Sequence, residues 1–202
     1  MKQVIVASET RLLDDYFKVD EAVVSYERFD GKMNRPVRRL CFERGDSAAA
    51  IVFNRDRQNV ILIEQFRYPT FRKGEGWIVE VVAGVVPEYE TPEAALRREV
   101  REEIGYDIDR LQPIATFYPS PGGSSERIIL YCAEMTNAGK IESGGGLTES
   151  GEDIRIIELS LQTLRDELLR GRIHDAKTLI AVMWLLNESF RVTVPGHGAA
   201  NG

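Results

Sequence analysis

Apolar and polar residues alternate in short runs along most of the chain, and such alternation is the pattern of half-buried β-strands. Residues 16–54 predict three strands separated by turns at Asp30-Gly31 and Gly45-Asp46. Runs rich in β-branched and aromatic residues predict five more strands, at residues 59–68, 76–84, 112–120, 126–135 and 153–160. The run that ends at Gly84 is predicted to be a single strand.

The clearest helical pattern covers residues 91–105. Thr91 suits the N-cap, Pro92 the first helical position and Gly105 the C-terminal cap. Two more helices are predicted at residues 160–171 and 175–190. Because strands and helices are mixed and several strands are joined by hairpins, the predicted fold class is an α/β sandwich with a mixed sheet.

Three segments are predicted along the 202 residues of the chain. Residues 1–45 form a small β-rich segment that is too short to be a stable domain alone. Residues 46–190 form the main domain. Residues 191–202 have no apolar period and are predicted to be a disordered tail.

The net charge of −6 disfavours a nucleic-acid-binding protein, which would normally carry a basic stripe. Two cysteines, Cys41 and Cys132, are too few for a disulfide framework, and both are predicted to be buried thiols. We find no signal peptide, and no apolar run approaches the ~20 residues of a membrane span. We therefore expect a cytoplasmic protein that binds neither nucleic acid nor membranes.

Three glutamates, Glu99, Glu102 and Glu103, share one face of the predicted helix because they are spaced by three and four residues. A separate apolar row lies beside them and is expected to pack on the core. A solvated helix face is the ordinary explanation for such a charged row. A metal site is the alternative, because carboxylate oxygens suit Mg²⁺ or Mn²⁺.

The residues around these glutamates favour the metal site. A set of fixed positions spans the segment: Gly84, Glu90, Arg98-Glu99-Val100, Glu102-Glu103 and Gly105-Tyr106. Their spacing matches the full signature of the Nudix hydrolases, which this chain therefore resembles, although Tyr106 stands where an aliphatic residue is more usual. The resemblance implies a Nudix-type α/β/α sandwich in which the signature forms a loop, a helix and a loop, held together by Arg98 and Glu90. It also implies hydrolysis of a nucleoside diphosphate linked to another group, with Mg²⁺ or Mn²⁺ as the cofactor.

By the same resemblance, Glu99 and Glu103 are the main metal ligands, Glu102 assists them, and the backbone carbonyl of Ala83 joins them. Glu152, in a glycine-rich acidic loop, matches the glutamate that positions or activates the attacking water. The expected catalytic residues are therefore Glu102, Glu103 and Glu152. A solvated loop carboxylate is the ordinary alternative for Glu152.

The resemblance covers roughly residues 8–188 and extends to the ADP-ribose pyrophosphatases and other nucleoside-diphosphate-sugar hydrolases. The segments "LIEQFRYP", "EVVAG" and "SPGGSSE" support it, and Pro121 lies where ADP-ribose enzymes carry a marker proline. The segment "GGGLTESGED" is closer to relatives that act on GDP-mannose or UDP-glucose, so the preferred substrate stays open. A non-catalytic nucleotide-sugar sensor and a nucleoside triphosphate hydrolase are the remaining alternatives.

The resemblance also implies contacts with the substrate. Arg67 matches an arginine that contacts the diphosphate or the ribose, and Glu126 matches a carboxylate near the terminal ribose. Tyr16 or Phe17 is expected to stack on the base across a dimer. The ordinary alternatives are a surface arginine, a loop glutamate and aromatic residues of the core.

Relatives in this branch are homodimers that exchange N-terminal strands between subunits. The resemblance therefore makes residues 1–45 a dimerisation segment. Arg39 matches an arginine that reaches the substrate from the partner subunit, and the adjacent Arg38 is the alternative if the alignment shifts by one residue.

Overall fold

The computed structural model describes residues 2–147, 149 and 151–187. Within them the chain forms ten strands: β1 (Val4–Asp14), β2 (Lys18–Tyr26), β3 (Val37–Glu43), β4 (Asp46–Asn54), β5 (Asn59–Phe66), β6 (Trp77–Glu80), β7 (Val82–Val85), β8 (Arg110–Phe117), β9 (Arg127–Met135) and β10 (Arg155–Ser160). The same residues form four α-helices: α1 (Tyr68–Phe71), α2 (Pro92–Ile104), α3 (Leu161–Leu169) and α4 (Ala176–Leu186). The tail predicted at residues 191–202 lies outside the described residues.

The chain divides into two compact units, and the first consists of the residues up to Asp46 together with Phe117–Arg127. Its antiparallel sheet has the strand order β1-β2-β3. Strands β2 and β3 lie where the sequence predicts them, whereas the sequence does not predict β1. Two irregularities in the β1–β2 register, after Val6 and after Arg11, interrupt the alternation that would mark β1 as a strand.

The second unit comprises Ser47–Thr116 and the described residues from Ile128 onwards. Its sheet has the strand order β10-β5-β4-β9-β8, with β6 paired to β5 and β7 paired to β4. Strands β4 and β5 are buried along most of their length, as their continuous apolar runs lead us to expect. The predicted class, α/β with a mixed sheet, is confirmed.

The run predicted as one strand at residues 76–84 is in fact two strands. β6 pairs with β5 and β7 pairs with β4, and the chain changes partner at Val81. The N–H of Val81 donates to Oγ1 of Thr178 in α4, at 2.8 Å, instead of to a neighbouring strand. The prediction of a single strand was wrong because this partner lies far away in the sequence.

The helices cover both faces of the larger sheet. Ala48, Ala50 and Val52 of β4 pack in one core cluster with the apolar row of α2. The intervening Ala49 and Ile51 are also fully buried, and alternation along the strand turns them to the opposite face. Helices α3 and α4 contact each other, and they pack on β5, β6 and β10. The result is the α/β/α sandwich that the family resemblance implies.

The two cysteines differ in their surroundings. Cys132 is buried as predicted, and burial raises the pKa of its thiol to about 12. Cys41 is only half-buried, so the prediction of a buried thiol is wrong there. The reason is that no residue of β1, β2 or β3 is fully buried in this chain.

None of the described helices is long and apolar enough to cross a membrane.

Candidate active site

Helix α2 carries the signature glutamates, and local hydrogen bonds fix both of its ends. Oγ1 of Thr91 accepts a hydrogen bond from the N–H of Ala94 at 3.2 Å. Gly105 ends the helix with a φ of 74°, a left-handed conformation that favours glycine. The apolar row of the helix is fully buried and comprises Leu96, Val100 and Ile104. The predicted caps and core face are therefore confirmed.

Strand β7 passes directly beside α2 at Gly84. A Cβ atom on Gly84 would lie 2.0 Å from Oε1 of Glu99, so no larger residue fits without moving this carboxylate. The close approach places the Glu99 carboxylate against the backbone of β7, next to Ala83. The glycine that opens the signature is thus required by packing against one of its glutamates.

Glu103 is a buried carboxylate with an unsatisfied oxygen. The residue is only 4% exposed, and Oε2 has no hydrogen-bond partner among the described residues. Burial raises the pKa of Glu103 well above its ordinary value, and the charges of Glu99, Glu152 and Glu80 raise it further, while Arg67 lowers it. An unpartnered buried carboxylate is costly, and a bound cation would satisfy it.

Arg98 bridges the other carboxylates of the signature. Its Nη1 donates to Oε1 of Glu99 at 2.8 Å and to Oε2 of Glu102 at 3.1 Å. Its Nε lies 3.5 Å from Oε1 of Glu90, which is the pairing that the resemblance implies. Burial opposes the charge of Arg98, but the carboxylates outweigh it and raise the pKa of Arg98. Burial also raises the pKa of Glu99, against the lowering effect of Arg98.

The three signature glutamates therefore differ in their ionic partners. Arg98 engages Glu99 and Glu102, whereas Glu103 has no cationic partner in hydrogen-bond contact among the described residues. In that part of the chain, no three acidic, histidine or cysteine side chains are grouped so that they could hold a metal ion. The ligand roles of Glu99, Glu102, Glu103 and the Ala83 carbonyl stay predictions.

The acidic loop is tied to the end of α2. The N–H of Gly145 donates to the carbonyl oxygen of Glu103 at 2.9 Å. Further along the loop, Oε2 of Glu152 accepts a hydrogen bond from the N–H of Leu147 at 3.1 Å, and the Glu152 side chain is exposed. The charge of Glu152 acts on the carboxyls of both Glu99 and Glu103. The fold thus brings Glu152 close to two of the signature glutamates.

Arg67 follows β5 and has a side chain that is 42% exposed. Its Nε and Nη2 donate to Oε2 of Glu80 at 3.0 and 2.9 Å. Glu80, at the end of β6, is 5% exposed, and its Oε1 accepts a hydrogen bond from Nζ of Lys177 at 3.0 Å. Since the charges of Arg67 and Glu80 both act on Glu103, this cluster is close enough to influence the site.

The sequence analysis does not single out Glu80 or Lys177. A lone glutamate in the apolar run "WIVEVVAG" is a signal that could have identified Glu80, because a charge in a buried strand needs a partner. Lys177 carries no comparable signal. It lies 97 residues further along the chain, and only the fold brings it to Glu80.

Four predicted substrate contacts belong to the first unit: Tyr16, Phe17, Arg39 and Glu126. The rings of Tyr16 and Phe17 pack edge to face, with centroids 4.8 Å apart, and Tyr16 is 84% exposed. Arg39 is an exposed residue of β3, and Oε2 of Glu126 lies 3.8 Å from Nη1 of Arg44. Their contacts with a substrate stay predictions.

Known proteins resemble this chain in sequence and in fold. The family described as "NUDIX domain" matches residues 43–181. The ADP-ribose pyrophosphatase of Escherichia coli strain K12 is 38% identical over 184 residues, which cover 90% of this chain and 86% of that protein. The GDP-mannose pyrophosphatase of Cronobacter sakazakii is 34% identical over 176 residues, which cover 86% of this chain and 90% of that protein.

The crystal structure of an ADP compounds hydrolase has a similar fold, with a TM-score of 0.67 at 16% identity over 90% of this chain and 91% of that chain.

Fold and signature together define a hydrolase. The chain belongs to the Nudix hydrolase family. The resemblance inferred from the sequence is thereby confirmed. Members of this family generally use divalent metal ions.

Proposed function

We propose that the protein hydrolyses the pyrophosphate bond of a nucleoside diphosphate sugar, with ADP-ribose as the first candidate. Water adds to one phosphorus, the bridging P–O bond breaks, and the products are a nucleoside monophosphate and a sugar phosphate. The relatives named as ADP-ribose and GDP-mannose pyrophosphatases support this class of substrate. The observation that carries the proposal is the buried carboxylate of Glu103, which has an unsatisfied oxygen on the signature helix.

The oxygen donors of these residues suit a divalent cation by their chemistry, and we propose Mg²⁺ or Mn²⁺. Glu103 and Glu99 would hold it, with help from Glu102 and the carbonyl of Ala83. Hard oxygen donors of this kind suit these ions, and the orphaned Oε2 of Glu103 is a donor that a cation would satisfy. When bound, the metal would neutralise phosphate charge and lower the pKa of the attacking water.

In this proposal, Glu152 supplies a proton acceptor and Arg67 a cationic contact for the diphosphate, and neither belongs to the signature helix. Glu152 is exposed and its charge acts on Glu99 and Glu103, which supports a role for its carboxylate as the acceptor of a proton from the attacking water. Arg67 is half-exposed and permanently charged, so its guanidinium is suited to bind the diphosphate of the substrate.

The active form in this proposal is a cytoplasmic homodimer. The sheet of the first unit exposes large apolar residues that a second copy could cover; on β1 these are Val4, Ile5, Val6, Leu12 and Leu13. In such a dimer, residues 1–45 form the dimerisation segment, and Arg39 and an aromatic residue, Tyr16 or Phe17, reach the partner subunit's substrate. Glu126 would contact the terminal ribose. Light scattering of the full chain tests the dimer, and the mass of a single chain contradicts it.

A substrate panel tests the reaction. The purified chain is mixed with Mg²⁺ and ADP-ribose, GDP-mannose, UDP-glucose or a nucleoside triphosphate, and released monophosphate is measured, with Glu103→Gln as the inactive control. We expect monophosphate from at least one of the three nucleotide sugars. Hydrolysis of the triphosphate alone would contradict the proposal, and so would binding of a nucleotide sugar without turnover.

A further inference from the structure

Glu80 and Glu103 are the two buried glutamates among the described residues. The hydrogen bonds of the Glu80 carboxylate differ from those of Glu103. Both oxygens of Glu80 accept hydrogen bonds from side chains. Oε2 accepts from Nε and Nη2 of Arg67 at 3.0 and 2.9 Å and from Nε2 of Gln65 at 3.3 Å. Oε1 accepts from Nζ of Lys177 at 3.0 Å. A buried charge with this many donors is held in one orientation.

The lysine behind Glu80 is itself fixed. Nζ of Lys177 also donates to Oδ1 of Asp175 at 2.9 Å, and the Lys177 side chain is only 14% exposed. Asp175 is the N-cap of α4, and its Oδ2 accepts from the N–H of Thr178 at 2.9 Å. The cluster has two positive and two negative charges, so it is balanced without any further ion. Glu80 is therefore anchored to the start of α4.

Arg67 is the one member of this cluster that extends into solvent. Its side chain is 42% exposed, compared with 5% exposure for the whole residue Glu80. Two of its nitrogens, Nε and Nη2, bond to Glu80, whereas Nη1 makes no hydrogen bond among the described residues. A guanidinium has five N–H donors in a planar fork, so several of them remain for an anion. The charge of Arg67 also acts on Glu103 of the signature helix, whose pKa it lowers.

We infer that Glu80 is a positioning residue, whose buried carboxylate, backed by Lys177 and Gln65, fixes the guanidinium of Arg67 so that its remaining donors bind the diphosphate of the substrate. A free arginine side chain samples many rotamers, and that freedom is lost on binding. An arginine already held by Glu80 loses less, so the anion binds more tightly. The inference rests on the proposed function, because the diphosphate is the anion that Arg67 is expected to meet.

A double-mutant cycle between Glu80 and Arg67 tests the inference. Arg67→Ala is expected to raise KM for the substrate by about tenfold, since it removes a charged contact. Glu80→Gln is expected to raise KM by about fivefold with a smaller change in kcat, because Arg67 is no longer held by a carboxylate. In the Arg67→Ala background, Glu80→Gln should leave KM unchanged. A merely structural role would lower activity equally in both backgrounds, and that result would overturn the inference.

Glu158→Gln is the matched control, because Glu158 also accepts hydrogen bonds from an arginine, Arg57, at 3.0 Å, but on the surface of β10. It should leave KM unchanged in both backgrounds. Thermal unfolding checks that each variant is folded. If Glu80→Gln does not fold, Lys177→Met replaces it in the cycle, with a KM increase that again depends on Arg67.

The same cycle is read by calorimetry with inorganic pyrophosphate, which requires no turnover. We expect the Kd for pyrophosphate to rise in Arg67→Ala and Glu80→Gln, without a further rise in the double variant. A wild-type chain that hydrolyses no nucleotide sugar but shows this binding pattern would contradict the proposed function and support the role of Glu80. A wild-type chain that binds no pyrophosphate, or additive effects in the double variant, would overturn the role of Glu80.

Discussion

The larger unit contains two clusters of charged residues, and they differ in how well the chain's own cations pair with the buried carboxylate. In the Glu80 cluster, the buried carboxylate is fully bonded by the chain's own cations, Arg67 and Lys177. In the signature cluster, Arg98 engages Glu99 and Glu102 but leaves Oε2 of the buried Glu103 without a partner in the described residues. A carboxylate that the fold has satisfied can orient a neighbour. One that the fold has left unsatisfied is suited to an external cation.

The largest expected effect comes from removing the unsatisfied charge. Glu103→Gln should lower kcat by about 10²–10³-fold, since the proposed metal loses its most deeply buried ligand. The amide keeps the size of the side chain, so the fold should be unaffected. Turnover assays of the wild type and the variant with Mg²⁺ check this, and near wild-type turnover would exclude a metal role for Glu103.

A smaller loss is expected at the exposed carboxylate of the acidic loop. Glu152→Gln should lower kcat by about 10- to 100-fold with little change in KM, because it removes a proton acceptor rather than a binding contact. An unchanged kcat would reject Glu152 as the base.

Two matched variants, one in each cluster, should differ in stability. Glu80→Gln should lower the free energy of unfolding by about 2 kcal/mol, because Arg67 and Lys177 lose their buried counter-charge. Glu103→Gln should leave that free energy unchanged or raise it, because no partner is lost and a buried group that is costly to ionise is replaced by a neutral amide. Urea unfolding of both variants gives the two values, and a larger loss in Glu103→Gln would reverse the assignment of the two clusters.

The sequence predicts the signature cluster far better than the Glu80 cluster, and the reason is distance along the chain. The caps at Thr91 and Gly105 and the glutamate spacing of α2 are local features that a short window contains. The contact between Glu80 and Lys177 spans 97 residues. The next residue, Val81, where the chain changes strand partner, also contacts α4. Strand β1 is missed for a different reason, since its register irregularities disrupt the alternating pattern.

The position of Arg67 illustrates the same limit. Its motif predicts contact with a substrate. No local pattern predicts that the guanidinium donates two hydrogen bonds to the buried carboxylate of Glu80. The packing of Gly84 against Glu99 is similar, because the signature shows that a glycine is present and only the fold shows that a Cβ would meet the carboxylate. Spacing along the sequence thus identifies the residues, and tertiary contacts identify their partners.

The stability of the protein should depend on pH through the protonation of Glu103. The pKa of Glu103 is raised in the folded protein by burial first and by nearby negative charges second, so the folded state keeps this proton to a higher pH than the unfolded chain does. The stabilisation from this carboxyl is therefore fully present below its ordinary pKa and is lost as the pH rises through the folded value. A cation that binds the ionised carboxylate should restore stability at high pH.

The most direct test of the central claim is the thermal unfolding of the wild type and Glu103→Gln at pH 8, each with and without Mg²⁺. We expect Mg²⁺ to raise the Tm of the wild type clearly and that of Glu103→Gln little or not at all. Equal increases in the two proteins, or no increase in the wild type, would contradict the claim that Glu103 is left unsatisfied by the fold in order to bind a divalent metal.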